Sequence, residues 1–338
     1  MNLRPSGYEP DELPTAPSRD FVDGKVRRTL IKNQYLCPPN SKKLVPEHSN
    51  HKAGFVSIVG KPNVGKSTLM NALIGQKLSI TTAKAQTTRH RIFGILTGDD
   101  FQIVYSDTPG LIDPKYALQK SMMGFVSESL QDADLILVVI DAFDEPKENK
   151  LVDLIESSSA PKLLVINKVD LSNQNDLEKQ VELWQNTLKD VMIIPVSALN
   201  NFNVDQLLRE ILALMPKHPP YFPEGDLTDK TERFFASEII REKIFLNYKK
   251  EIPYSCEVVI DSFKDEDEIA KIRAVIYVER DSQKGIIIGK GGASLKKVGV
   301  EARADLEAFL GKKVFLETHV KVEKDWRKKQ LKLERFGY

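Results

Sequence analysis

Between residues 50 and 216 the apolar residues fall into short runs separated by amphipathic stretches. Runs at 55–59, 101–106 (FQIVYS), 135–140 (LILVVI), 162–166 (KLLVI) and 191–196 (VMIIPV) are short enough to predict buried strands. Helical spacing lies between them at 118–131, 146–157, 176–188 and 204–215, and a helix-like stretch from Ser67 to Leu73 follows a Gly-rich turn. Strands alternating with helices predict an α/β domain, its mainly parallel sheet covered on both faces. One pair breaks the alternation. The run 91–97 (RIFGILT) faces 101–106 across Gly98-Asp99-Asp100, which predicts an antiparallel hairpin.

The segment 216–229 (PKHPPYFPEGDLTD) is dense in proline and turn residues and reads as a linker. Beyond it the order changes. A helix at 231–249 precedes strands at 255–263 and 269–279, a helix–turn–helix around 283–310 and a strand at 313–322, an α+β pattern. The domains expected are therefore 53–215 and 230–338. Residues 1–50, with Pro5, Pro10, Pro14, Pro17, Pro38, Pro39 and Pro46 and no sustained periodicity, read as a disordered arm.

Charge sharpens this division. Residues 1–229 carry a net −4 and residues 230–338 a net +5, and 284–338 alone holds 14 Lys and Arg against 7 Asp and Glu. A basic C-terminal end points to a polyanionic partner. Two distant cysteines, Cys37 and Cys256, make neither a disulfide framework nor a zinc site, so a reducing compartment is expected. No charged-then-apolar signal peptide opens the chain, and acidic Glu9, Asp11, Glu12, Asp20 and Asp23 are unlike a transit peptide.

Residues 60–67, GKPNVGKS, match G-x-x-x-x-G-K-[ST] at every fixed position. Gly60 and Gly65 let main-chain N–H groups turn toward phosphate, Lys66 reaches the β- and γ-phosphates, and Ser67 offers a hydroxyl to Mg²⁺. DTPG at 107–110 follows a strand, placing Asp107 as a Mg²⁺ carboxylate and the Gly110 amide near the γ-phosphate. NKVD at 167–170 follows the next buried strand but one, and Asp170 can accept from the N1–H and N2 amino groups of guanine. Ser197-Ala198 follows the last strand, where a main-chain N–H can reach guanine O6. Each motif alone has a plain reading as a turn or helix cap. Four in order, each at the C-terminal end of a strand, predict a GTP site. Its expected contacts are Gly60, Lys61, Pro62, Asn63, Val64, Gly65, Lys66, Ser67 and Thr68, then Asp107, Thr108, Pro109, Gly110 and Leu111. Asn167, Lys168, Val169, Asp170, Ser197 and Ala198 complete the set.

These motifs resemble the translation-factor-related GTPases, and KAQTTRHRI at 84–92 narrows the resemblance to the Era family, from about Ala53 to Tyr338. The resemblance implies a P-loop GTPase domain and a C-terminal KH domain, with GTP or GDP and Mg²⁺ as ligands. It also implies that a first-switch threonine, Thr87 or Thr88, joins Ser67 and Asp107 around Mg²⁺. Lys66, that threonine and the Gly110 amide form the expected catalytic set. Leu111 stands where Ras-like enzymes carry a water-orienting glutamine, and related GTPases use an asparagine at the position of Asn63 to hold K⁺. The partner implied is the 3′ end of small-subunit ribosomal RNA, in assembly of that subunit. The long arm resembles organellar relatives, so the expected location is a chloroplast stroma or mitochondrial matrix, with a bacterial-type cytoplasm as the alternative.

Residues 285–292, GIIIGKGG, hold the G-x-x-G loop Gly289-Lys290-Gly291-Gly292, followed by basic Lys296 and Lys297. KH modules clamp the backbone of about four single-stranded nucleotides with such a loop. The basic tail 324–335 could touch RNA or a membrane surface, or pack Trp326 on the KH sheet, which is the favoured reading. His90 reads as a switch or RNA contact. A monomer with no DNA partner is expected, and the competing readings are a membrane-recruited signalling GTPase and an RNA-binding module with a vestigial nucleotide site.

Overall fold

The computed structural model describes residues 50–338 apart from 83, 145, 147–151, 154–157 and 189–190. The predicted arm, but for residue 50, and most of the helix expected at 146–157 lie outside the described residues. The apolar runs form β1 (Lys52–Val59), β3 (Phe101–Asp107), β4 (Leu135–Asp141), β5 (Lys162–Asn167) and β6 (Met192–Pro195). With β2 (Ile92–Thr97) they make one sheet in the order β2-β3-β1-β4-β5-β6, parallel except for the β2–β3 hairpin.

Helices cover both faces, as strands without exposed sides require. On one face, Leu69 and Met70 of α1 (Lys66–Ile74) and Leu207 and Ile211 of α4 (Val204–Leu214) pack on Val56, Ile58 and Ile103. On the other, Val126 of α2 (Ala117–Gln131) and Trp184 of α3 (Gln174–Thr187) pack on Val59, Ile136 and Val138.

The expected linker does not hang free. Its Leu227 carbonyl accepts from the Ile95 N–H at 2.8 Å and the Asp229 carboxylate from the Phe93 N–H at 3.1 Å, covering the outer edge of β2. The buried Gln102 side chain anchors the middle of this strap. It donates to the Phe222 carbonyl at 2.9 Å and accepts from the N–H groups of Tyr221 and Phe222.

The second domain follows the predicted order. It runs α5 (Glu232–Asn247), β7 (Glu257–Asp265), β8 (Ile269–Val278), α6 (Asp281–Ile288), α7 (Ala293–Leu310) and β9 (Lys313–Val322). Strand β8 is central, antiparallel to β7 and parallel to β9. Thr231 opens α5 by accepting from the Phe234 N–H, and Ile240, Ile244, Ile272, Ala302 and Leu306 fill the core.

Trp326 corrects one expectation. It is fully buried, yet it packs on Leu118 and Met122 of α2, together with Leu333 of α8 (Gln330–Arg335). The tail thus bridges both domains: the indole is buried on the apolar face of α2 while its N–H donates to the Ser255 carbonyl of the second domain. Among the described residues no helix is long and apolar enough to cross a membrane.

Candidate nucleotide and RNA sites

The loop between β1 and α1 is shaped by close backbone approach. Gly65 has φ +94°, and a Cβ there would stand 2.2 Å from Asn167 Nδ2. A side chain on Gly110 would meet the main chain of Pro62 at 2.7 Å, so DTPG lies directly against the loop. The Val64 side chain is buried, 3% exposed, which leaves only its main chain on the loop's inner side. Lys66 is buried and donates to the carbonyls of Gly60 at 3.1 Å and Lys61 at 2.8 Å, so its ammonium sits inside the loop. Burial pulls its pKa down to about 8, with the Asp107 carboxylate acting the other way.

Three oxygens converge beside it. Asp107 Oδ2 accepts from Ser67 Oγ at 2.7 Å and from Thr88 Oγ1 at 3.4 Å, and the two hydroxyls lie 2.9 Å apart. Asp107 Oδ1 is buried without a hydrogen-bond partner among the described residues, which for a carboxylate is costly unless a cation completes the site. Burial holds the Asp107 pKa above the usual carboxylate range, opposed by the Ser67 hydroxyl and Lys66. One carboxylate and two hydroxyls fit Mg²⁺, which takes few protein ligands and shares the rest with phosphate. The structure chooses Thr88 for this cluster; Thr87 takes no part in it. The buried Thr108 hydroxyl donates to the Ile58 carbonyl at 2.8 Å and ties DTPG to β1. Leu111 donates its N–H to the Gly60 carbonyl and packs on the apolar layer under α2, so it leaves no side-chain donor for water.

On the base side, Asn167 is a cross-brace. Its Nδ2 donates to the Val64 carbonyl at 2.8 Å, and its Oδ1 accepts from the Ala198 N–H at 3.0 Å. Lys168, in the left-handed region at φ 62°, pairs with Asp141 at 2.7 Å. Asp170 and Val169 lie in a single 3₁₀ turn, 169–171. The N–H groups expected for guanine O6 are committed here: Ser197 donates to the Phe202 carbonyl and Ala198 to Asn167. The reason is the bridge between Ser197 and Phe202, which closes the turn between them. Two further side chains were not among the expected contacts. Asp144 pairs with Lys61 at 2.7 Å, and Leu199, 76% exposed, follows Ser197-Ala198. A leucine directly after that motif was the signal available.

In the second domain, Gly289, Gly291 and Gly292 all have positive φ, and Lys290, Lys296 and Lys297 are exposed around the turn. The Gly289 conformation is enforced, because a Cβ would strike Ser294 Oγ at 2.2 Å. Ile286, half exposed on the preceding helix, adds an apolar contact beside the loop.

The family profile for 50S ribosome-binding GTPases matches residues 55–168, and that for KH domains matches residues 251–327. GTPase Era of Staphylococcus haemolyticus is 44% identical over 293 residues, which span 86% of this chain and 98% of that protein. The chain belongs to the Era family of GTPases. A crystal structure of Era with MgGDPNP and nucleotides 1506–1542 of 16S ribosomal RNA is 40% identical with a TM-score of 0.82, covering 85% of this chain and 99% of that one. An Aquifex aeolicus Era variant bound to GDP·AlF4⁻ is 39% identical, also with a TM-score of 0.82 and the same coverage of both chains.

In this Era-family GTPase, His90 is neither exposed nor basic. Its ring stacks on Tyr338 at 4.3 Å between centroids, and burial lowers its pKa to about 4. Phe125 and Phe234 close the other sides. It is thus an apolar packing group between domains, which corrects the expectation of an RNA contact.

Proposed function

We propose that the chain is a GTP-gated clamp on the 3′ end of small-subunit ribosomal RNA and acts in assembly of that subunit. The carrying observation is the Gly289–Gly292 turn, whose positive-φ glycines and exposed Lys290 leave main chain and charge open to a phosphate backbone. The Era relative crystallised with 16S ribosomal RNA supports the choice of RNA. When bound, Mg²⁺ supplies charge neutralisation for the phosphates. Ser67, Asp107 and Thr88 would hold it, Lys66 pairs with phosphate oxygens, and Asp170 selects guanine. A single-stranded RNA of that 3′ end should bind more tightly with a GTP analogue than with GDP in fluorescence anisotropy. Equal, weak binding in both states would remove the proposal.

K⁺ is the finer part of the reading. Asn63 sits exposed on the phosphate loop in the left-handed region, φ 64°, where a cation could neutralise charge that builds during hydrolysis. The apolar placement of Leu111 leaves room for such a helper.

A further inference from the structure

The segment carrying Thr88 is gripped from both sides by the KH domain. Lys84 Nζ donates to the carbonyls of Phe245 and Tyr248, at the C-terminal end of α5, where unsatisfied carbonyls and the helix dipole favour a cation. Beyond Thr88, the Arg89 guanidinium is 3% exposed and donates four hydrogen bonds. They reach the carbonyls of Pro253 and Tyr254 at 3.2 Å and of Cys256 at 2.7 Å, and Glu257 Oε2 at 2.9 Å. The same Glu257 oxygen accepts from the Tyr338 hydroxyl at 2.7 Å, and the Tyr338 ring covers His90. Trp326 lies 5.9 Å from Arg89 and donates to the Ser255 carbonyl, while its other side packs on α2, the helix after DTPG. The tail therefore seats against both nucleotide-sensing segments.

We propose that Arg89 is a positioning residue for GTP hydrolysis, holding Thr88 at the Mg²⁺ site from an anchorage built by the KH domain and Tyr338. The proposal rests on the GTPase assignment. A planar guanidinium suits a cage of carbonyls that a single ammonium could satisfy only in part. Once buried, it cannot leave without stranding its own charge and that of Glu257. Thr88 is the adjacent residue, so the cage fixes its hydroxyl, and small displacements of a positioned group cost rate steeply. GDP carries no γ-phosphate for a metal held beside Thr88 to act on, so the anchorage should show in hydrolysis and not in GDP affinity.

Full-length Arg89→Ala, Arg89→Lys and Tyr338→Phe variants test this by GTP hydrolysis at graded Mg²⁺ and by affinity for a fluorescent GDP analogue. Arg89→Ala should lower kcat by about tenfold or more and raise the Mg²⁺ concentration for half-maximal rate, with GDP affinity within about twofold. Arg89→Lys should recover part of the rate. Tyr338→Phe keeps the ring and removes one hydroxyl, so it should shift both quantities the same way by less. Folded Arg89→Ala and Tyr338→Phe variants with unchanged kcat and Mg²⁺ dependence would overturn the proposal. So would a loss of GDP affinity equal to the loss of kcat, which marks general damage. If Arg89→Ala does not fold, Tyr338→Phe decides alone. Absence of hydrolysis by the unsubstituted chain would instead sink the GTPase assignment.

Discussion

The Ser197 hydroxyl donates to Asp170 Oδ1 at 2.5 Å, so one oxygen of the carboxylate we propose reads the base is already oriented. Asp170→Asn should turn preference from guanine toward xanthine, because an amide presents a donor where xanthine offers an oxygen. Ser197→Ala should weaken GTP and GDP alike by about fivefold, the worth of one hydrogen bond, without a gain for XTP. Competition binding of GTP and XTP separates the two. An Asp170→Asn variant that still prefers GTP strongly would show that another group reads the base.

Lys66, at about 8, is partly neutral in the free protein at mildly alkaline pH. Phosphate oxygens favour the ammonium and raise its pKa, so nucleotide binding near pH 8 should take up protons, and at pH 6 Lys66 should take up almost none. Calorimetry in buffers of different ionisation enthalpy reads the difference directly. Proton release by Lys66, or equal uptake at both values, contradicts this placement of the lysine.

Hydrolysis by the isolated protein should be slow, on the order of 10⁻⁴–10⁻² s⁻¹, since Leu111 cannot orient water. It should run faster in K⁺ than in Na⁺ at equal ionic strength, and Asn63→Ala should erase that ratio. Equal rates in both salts for the unsubstituted protein would eliminate K⁺ and leave the helper to a partner.

Gly291 has open space around its Cβ position at φ +59°, a conformation that aspartate tolerates better than most residues, so Gly291→Asp should fold. It places a negative charge where a phosphate must approach, and loss of one charge-assisted contact already lowers RNA affinity about tenfold or more. Affinity of the unsubstituted chain should also fall as salt rises, because neutralised phosphates release counterions. Anisotropy that finds a folded Gly291→Asp variant with unchanged RNA affinity removes this loop as the clamp. Gly289 is a poorer probe, because its clash with Ser294 confuses folding with binding.

What the chain determines locally was legible in it. A phosphate loop needs its glycines, lysine and serine within a few residues, so Gly60–Ser67 announces itself. The alternation of apolar runs and amphipathic stretches likewise implies the sheet, and the G-x-x-G turn implies a KH loop. Tertiary structure decided whatever depends on meeting a distant partner. It chose Thr88 over Thr87 by bringing Ser67 and Asp107 to one hydroxyl. It committed the amides of Ser197 and Ala198 through a turn and a cross-brace that no motif specifies. It turned a proline-rich linker into the cover of a sheet edge, and carried Trp326 to a helix of the other domain. Arg89 and Glu257 stand 168 positions apart, and nothing in either neighbourhood announces the pair. Burial makes that pairing obligatory, and burial is a property of the folded chain.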